Sequence, residues 1–120
     1  MKQNDTKQYE YFNEADIISV ICSEYKVTEG QLKNCTRKRE VVKARHLAMV
    51  FILKHSKLTF MKTGIIFNRD HASVINAKSK IEGYYDIYPD CRKEYDVIYN
   101  AIKAKADEFE RYKNFNTESV

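Results

Sequence analysis

Seven consecutive apolar residues, LAMVFIL at positions 47–53, stand near the middle of this 120-residue chain. They belong to a helical pattern that runs from Val41 to His55, and along the run this helix is apolar on nearly every face. Such a helix is stable in water only when other helices surround it, which predicts a small bundle. Because three glycines and one proline leave few breakers, we predict an all-α domain of about six helices.

Capping residues and apolar periodicity place the other helices. Candidate N-caps precede three of them, at Asn13, Thr28 and Thr59. A fourth helix is predicted to start at about Asp70, because an acidic residue is favourable in a first helical turn. Pro89 can occupy the first turn of a last helix, which the pattern carries to about residue 114. The sequence therefore predicts a polar N-terminal arm at 1–13, a helical domain at 14–88, a helix at 89–115 packed on that domain, and a tail at 116–120.

Positive charge is concentrated in the middle of the chain. From Arg37 to Ile81 there are eleven lysines and arginines against only Glu40 and Asp70, a net charge of +9, whereas the whole chain carries +4. A basic block within a folded region is typical of a nucleic-acid-binding protein. A solvated lysine-rich surface would give the same composition, so charge alone leaves both interpretations open.

The sequence disfavours membrane insertion, metal binding and catalysis. No apolar segment approaches the roughly 18 residues that span a bilayer, and the polar N-terminus lacks a signal-peptide core, so we expect a cytoplasmic protein. Cys22, Cys35 and Cys91 are isolated and lack the paired spacing of zinc ligands. The chain has no phosphate-binding loop, and adjacent Asp70 and His71 would diverge by roughly 100° on a helix. We expect no enzymatic activity, metal or cofactor.

The segment FNRDHASVINAKSKI, residues 67–81, favours DNA recognition instead. A short helix, a tight turn and a second helix with one apolar and one polar face form a helix-turn-helix, whose second helix enters the major groove. The apolar face is predicted to comprise Val74, Ala77 and Ile81. At the start of the helix Asp70 can accept from a cytosine amino group, His71 or Arg69 can donate to a purine, and Ala72 can contact a thymine methyl. The polar face is predicted to comprise Arg69, Ser73, Asn76 and Lys80, and the last three of these can reach phosphates.

Two segments, RKREVVKARHLAMVFILKHSKLTF and FNRDHASVINAKSKI, resemble the C-terminal DNA-binding domain of the bacterial replication initiator DnaA. The similarity covers about residues 16–102. It implies a six-helix fold of the Trp-repressor and DnaA domain IV type that includes the extended C-terminal helix. Residues 14–88 are the helix-turn-helix DNA-binding domain, with double-stranded DNA as the partner. It also implies that Arg37, on a basic loop, enters the adjacent minor groove. Residues that the resemblance and the charge pattern together assign to DNA binding are Arg37, Lys38, Arg39, Lys43, Arg45, Lys62, Arg69, Asp70, His71, Ala72, Ser73, Asn76 and Lys80.

The chain departs from that family's pattern at three positions. A single Asn68 replaces the usual pair of glycines before the arginine, which shortens the turn, although Asn tolerates left-handed dihedrals. Ala72 replaces a threonine, and Thr63 stands where a buried aliphatic residue is usual. These departures leave open whether a DnaA box of the TTATCCACA type is read. Because 120 residues cannot hold the initiator's ATPase domain, the chain is either an excised domain or a free-standing relative. We expect the second, a protein that occupies or regulates origin sites without hydrolysing ATP.

Two other functions remain possible at this point. The last helix carries an apolar stripe that could mediate self-association or assembly with a partner protein: Tyr95, Ile98, Ile102 and Phe109. The safer expectation is that this stripe packs on its own domain. Non-specific binding of DNA or RNA is the third reading, and it predicts affinity that falls steeply with salt but shows no preferred sequence.

Overall fold

The computed structural model describes the backbone of residues 11–118 and the side chains of residues 11–108. This part of the chain contains six α-helices and no strand, which confirms the predicted all-α class. In chain order the helices are α1 Glu14–Tyr25, α2 Glu29–Lys33, α3 Arg39–Phe51, α4 Phe60–Ile66, α5 His71–Ile87 and α6 Pro89–Glu118. The last helix extends past the predicted end at 115, so assigning 116–118 to a tail was wrong. Most of the predicted arm, 1–10, lies outside the described residues.

The three candidate N-caps are confirmed, and Asp70 proves to be the N-cap of a fourth helix. The side chains of Asn13, Thr28, Thr59 and Asp70 each accept a hydrogen bond from a backbone N–H in the first turn of α1, α2, α4 and α5 respectively. At Thr28 the side chain of Gln31 also bonds back to the cap N–H, completing a capping box. These bonds satisfy backbone donors that a helix start otherwise leaves unpaired, which is why short α2 and α4 begin at defined residues.

The α3 helix is the centre of the core, as its apolar run predicts. The residues from Leu47 to Ile52 are buried, with at most 4% of any residue exposed. Val74 and Ala77 of α5 and Ile98 and Ile102 of α6 complete the core, and α1 contacts both α3 and α6. Burial of these large apolar side chains, at about 1.5–3 kcal/mol each, supplies the main favourable term in folding.

The end of α3 differs from a regular helix. Residues Ile52–Ser56 continue it as a π-helical turn that ends at Lys57, which has a left-handed backbone with φ of 62°. This turn holds the chain before α1, because Phe12 N–H donates to the His55 carbonyl oxygen over 3.0 Å and Ser56 Oγ donates to the Phe12 carbonyl oxygen over 2.6 Å. The Phe12 ring also packs on the rings of His55 and Tyr99. Phe12 therefore anchors the start of the domain.

The apolar stripe of α6 faces its own domain. Ile98 is 2% exposed and Ile102 is fully buried, while the Tyr95 ring stacks on Phe51 with centroids 4.3 Å apart. Self-association through Ile98 and Ile102 would require the core to open, so these two residues are not a free surface. Phe109 lies outside the residues whose side chains are described. None of the helices within residues 11–118 combines the length and the apolar character needed to cross a membrane.

Candidate nucleic-acid interface

The N-terminal end of α5 presents an exposed polar surface. His71, Ala72 and Ser73 occupy its first turn, directly after the N-cap Asp70, and all four are exposed together with Asn76 and Lys80. The opposite face carries the fully buried Val74 and Ala77. Val74 and Ala77 thus lie on the apolar face of α5, and Ser73, Asn76 and Lys80 lie on its polar face, as the periodicity predicts. The first turn of the helix is open to a partner.

Asp70 both starts this helix and remains available as an acceptor. Its Oδ1 accepts the backbone N–H of Ser73 over 2.9 Å. That hydrogen bond from Ser73 holds the pKa of the Asp70 carboxyl below its usual value, so the group stays ionised at neutral pH. A carboxylate has about four lone-pair positions, and the cap uses one of them. Asp70 can therefore accept a further donor, such as a base amino group, without losing its capping role.

The turn before α5 is held close to the preceding helix. Asn68 has a left-handed backbone with φ of 56°, a conformation that asparagine tolerates, and its side-chain amide donates to the Lys33 carbonyl oxygen over 3.2 Å. The Arg69 N–H donates to the Gly64 carbonyl oxygen over 2.8 Å. A Cβ atom on Gly64 would clash with the Arg69 carbonyl oxygen, so only glycine fits at this close approach.

Arg69 is not part of the exposed surface of α5. One guanidinium nitrogen donates to the Phe67 carbonyl oxygen over 3.0 Å, and the other donates to the Asn34 carbonyl oxygen over 2.7 Å. The side chain is therefore directed back along the turn and across to the end of α2. The prediction that Arg69 shares a polar face with Ser73 is corrected here, because these carbonyl groups hold its guanidinium.

Arg45 also lies away from the surface, contrary to the sequence prediction. The residue is 4% exposed, and its Nε donates to the Leu32 carbonyl oxygen over 2.7 Å. Its Nη2 lies 3.1–3.3 Å from the carbonyl oxygens of Gln31, Asn34 and Thr36. A helix C-terminus leaves carbonyl groups unpaired and partly negative, so a buried guanidinium is well placed there. Burial, followed by repulsion from Arg69, lowers the pKa of Arg45, which still remains protonated at neutral pH.

Both guanidinium groups meet at the carbonyl oxygen of Asn34, the first residue of the basic loop, which we define as residues 34–38 between α2 and α3. Arg45 fixes this loop to α3, and Arg69 fixes it to the turn before α5. Arg37 and Lys38 follow on the same loop, and Arg39 begins α3; all three are exposed. The loop that carries Arg37 is therefore joined directly to the turn that aims α5.

The remaining predicted basic residues divide into two groups. Lys43 forms an ion pair with Glu94, with its Nζ 2.9 Å from Oε1, and lies over the Tyr25 ring. The Tyr25 hydroxyl donates to the same carboxylate. Lys62 on α4 and Lys80 on α5 are exposed. Lys43 is thus engaged on the α6 side of the domain, while Lys62 and Lys80 stay available to a partner.

Sequence reasoning did not identify Asn34 and Thr36, because the atoms that bind the arginines are backbone carbonyl oxygens, which every residue has. Their side chains act within the loop, where Asn34 Oδ1 accepts the Thr36 N–H and Thr36 Oγ1 accepts the Lys38 N–H. The turn at Asn68 was anticipated, but its bond to Lys33 was not. Thr63 is buried as its position suggested, and its hydroxyl has no hydrogen-bond partner among the described residues. A polar atom of this kind costs stability unless it serves a purpose.

The part of the chain that carries these features is similar to known proteins. The family described as "Bacterial dnaA protein helix-turn-helix" matches residues 15–81. The chromosomal replication initiator protein DnaA of Bacteroides fragilis is 32% identical over 91 residues, which is 75% of this chain and 19% of that protein. The DnaA of Bacteroides thetaiotaomicron is 32% identical over 92 residues, 76% of this chain and 20% of that protein.

A shorter match, to the DnaA of Oleidesulfovibrio alaskensis, is 38% identical over 66 residues, 55% of this chain and 14% of that protein. The chain spans about a fifth or less of the length of these relatives. The family match covers more than half of the chain and includes the basic loop and the exposed start of α5. The chain therefore belongs to the bacterial DnaA helix-turn-helix family.

Proposed function

We propose that this chain binds double-stranded DNA in a sequence-specific manner, with the start of α5 in the major groove and the basic loop in the adjacent minor groove. The observation that carries the proposal is the pairing of two exposed groups. Asp70, His71 and Ala72 lie at the N-terminal start of α5. Arg37 lies on the basic loop, which the Asn34 carbonyl oxygen connects to the turn before that helix.

Each group has a role that its chemistry allows. Asp70 accepts from a cytosine amino group, His71 donates to a purine edge, and Ala72 contacts a thymine methyl. Arg37 donates to acceptors on the floor of the minor groove. Contacts to phosphates, which fix orientation rather than sequence, fall to Lys38, Arg39, Lys62, Ser73, Asn76 and Lys80. Arg45 and Arg69 position the loop and the turn rather than contact bases.

We further propose that the preferred site resembles a DnaA box of the TTATCCACA type and that binding serves replication-origin recognition or its regulation. The relatives are named as chromosomal replication initiator proteins, which supports this setting. The chain carries no phosphate-binding loop motif, so we assign DNA binding and no ATP hydrolysis to these 120 residues.

The test is fluorescence anisotropy with a labelled duplex that contains such a box and a scrambled duplex of equal length, across a salt series. We expect a preference of about a hundredfold or more for the box, within the range of specific binders. Equal, salt-steep binding to both duplexes would mean that the protein reads the DNA backbone alone. Binding to neither would reject the proposal.

Two variants assign the roles. Arg37→Ala should weaken box binding by about tenfold or more, and His71→Ala should reduce the preference for the box more than it reduces affinity for the scrambled duplex. Lys105→Ala is the matched control, since Lys105 is an exposed cation on α6, outside the proposed surface. If Arg37→Ala and His71→Ala both bind like Lys105→Ala, the assigned roles are wrong.

A further inference from the structure

A cleft adjoins the proposed DNA surface. A cleft of about 600 Å³ opens between α3, α5 and the start of α6. Its volume falls in the usual range for small-molecule sites, roughly 300–1,000 Å³. Leu47 and Ile81 form part of its apolar lining, and four tyrosines also line it: Tyr84, Tyr85, Tyr88 and Tyr95.

The tyrosines at its mouth are exposed although they are large and aromatic. Tyr84 is 47% exposed and Tyr88 is 52% exposed, and their ring centroids lie 6.1 Å apart. Neither ring is part of the buried core, which α5 enters through Val74 and Ala77, about two or more turns before Tyr84 on the same face of the helix. Two neighbouring aromatic rings over an apolar cleft can bind a flat ring by stacking.

The rim of the cleft is positively charged. Arg37, Arg39 and Lys80 line it, and none of the three forms an ion pair among the described residues. The lining contains one carboxylate, Glu94, which Lys43 neutralises at 2.9 Å. His46 adds no charge, because burial and then repulsion from Lys80 lower its pKa. The cleft therefore combines exposed aromatic rings with cations that no carboxylate of its lining neutralises.

We propose that this cleft binds a small aromatic anion, with its ring against Tyr84 and Tyr88 and its carboxylate, sulfonate or phosphate group against Arg37, Arg39 and Lys80. An aryl carboxylate and a nucleoside monophosphate share this chemistry. Since Arg37 and Lys80 also belong to the proposed DNA surface, a bound anion opposes DNA binding. The opposition between the anion and DNA rests on the proposed function, whereas binding of the anion in the cleft does not.

The first experiment measures occupancy without DNA. The probe is the aromatic sulfonate 1-anilinonaphthalene-8-sulfonate, and the neutral dye N-phenyl-1-naphthylamine is its uncharged counterpart. Tyr84→Ala and Tyr88→Ala should each weaken sulfonate binding by about tenfold, since one stacked ring is worth about 1.4 kcal/mol. Tyr11→Ala is the matched control, because Tyr11 is 61% exposed and does not line the cleft. It should change the dissociation constant less than about twofold.

Charge and ligand source are tested in the same assay. Arg39→Gln should weaken binding of the sulfonate but leave the neutral dye unchanged. Displacement of the sulfonate by 2-naphthoate or by adenosine monophosphate supports the site and identifies its source, and displacement by neither overturns the proposal. Equal effects of Tyr11→Ala and Tyr84→Ala, or equal affinity for the neutral and the anionic dye, also overturn it.

The last experiment separates this proposal from DNA binding. The displacing anion is added at saturation to the anisotropy titration, and linkage requires that it weaken DNA binding by the same factor as DNA weakens its own binding. An anion that binds the cleft but leaves DNA affinity unchanged overturns the opposition while occupancy stands. A protein that binds the anion but no duplex overturns the proposed function while the cleft site stands.

Discussion

Replacing Arg69 by alanine removes the connection between the turn before α5 and the basic loop. The guanidinium donates to the carbonyl oxygens of Phe67, at 3.0 Å, and Asn34, at 2.7 Å. Hydrogen bonds from a charged donor are each worth about 1.5–3 kcal/mol when buried, but Arg69 is only half-buried. The Asn34 oxygen also keeps its bond from Arg45, so the substitution leaves no orphaned acceptor there. We expect a loss of about 1–2 kcal/mol in the free energy of unfolding.

The effect on DNA binding should exceed what lost charge alone would cause. If Arg69 acts by joining the two DNA-contacting parts, its removal lets the loop and α5 move independently, and the preference for a box over a scrambled duplex should fall by about tenfold. Arg69→Lys separates this from a phosphate contact. Lysine keeps the charge but cannot place two donors in a fixed fork, so it should behave like alanine.

The assay is a double-mutant cycle on box binding with Arg37→Ala, Arg69→Ala and the double variant, alongside urea unfolding of each protein. Coupled parts give a double variant that loses less affinity than the sum of the single losses, by about 1 kcal/mol or more. Additive losses, or an Arg69→Lys variant that binds like the parent, would refute the positioning role and return Arg69 to the set of phosphate contacts.

Three further predictions concern stability and are checked by urea unfolding. Thr63→Val should raise the free energy of unfolding by about 1 kcal/mol, because it removes a buried hydroxyl that lacks a partner; a decrease would show that the hydroxyl is bonded. Gly64→Ala should lower it by about 1–3 kcal/mol or more, since the new methyl meets the Arg69 carbonyl oxygen; an unchanged value would contradict the close approach. Burial and then the bond to Glu94 raise the pKa of Tyr25, so the folded state holds the proton more tightly than the unfolded state, whose tyrosine pKa is about 10. Stability should therefore fall as pH rises above about 10, less steeply in Tyr25→Phe, and parallel pH profiles would contradict this.

Periodicity and capping chemistry predicted most of the fold, because both are local. The apolar faces of α3 and α5 follow from spacing along the chain, and each N-cap is bonded within three residues of itself. The end of α6 and the π-helical turn after α3 were missed for the opposite reason. A long polar helix has no single stop signal, and the turn at Ile52–Ser56 depends on packing against Phe12, 40 or more residues away in sequence.

The sequence identified the site residues whose side chains are exposed, but it misassigned those whose side chains bond backbone carbonyl oxygens. Asp70, His71 and Arg37 are exposed as the sequence indicated, but an arginine on a basic segment looks the same whether it faces DNA or a carbonyl oxygen. Arg45 and Arg69 both donate to the backbone carbonyl oxygen of Asn34, an atom that every residue has.

These hydrogen bonds explain how the direction of α5 is fixed. A turn with one residue fewer would re-aim α5 if its direction were set by the turn alone. Here Asn68 bonds Lys33 and Arg69 bonds Asn34, so two bonds to the end of α2 fix the start of the helix from outside the turn. The Asn34 carbonyl oxygen also accepts from Arg45 of α3, so the basic loop and the start of α5 share one of these two anchor points. The direction of α5 therefore depends on its hydrogen bonds to the end of α2 as well as on the turn that precedes α5.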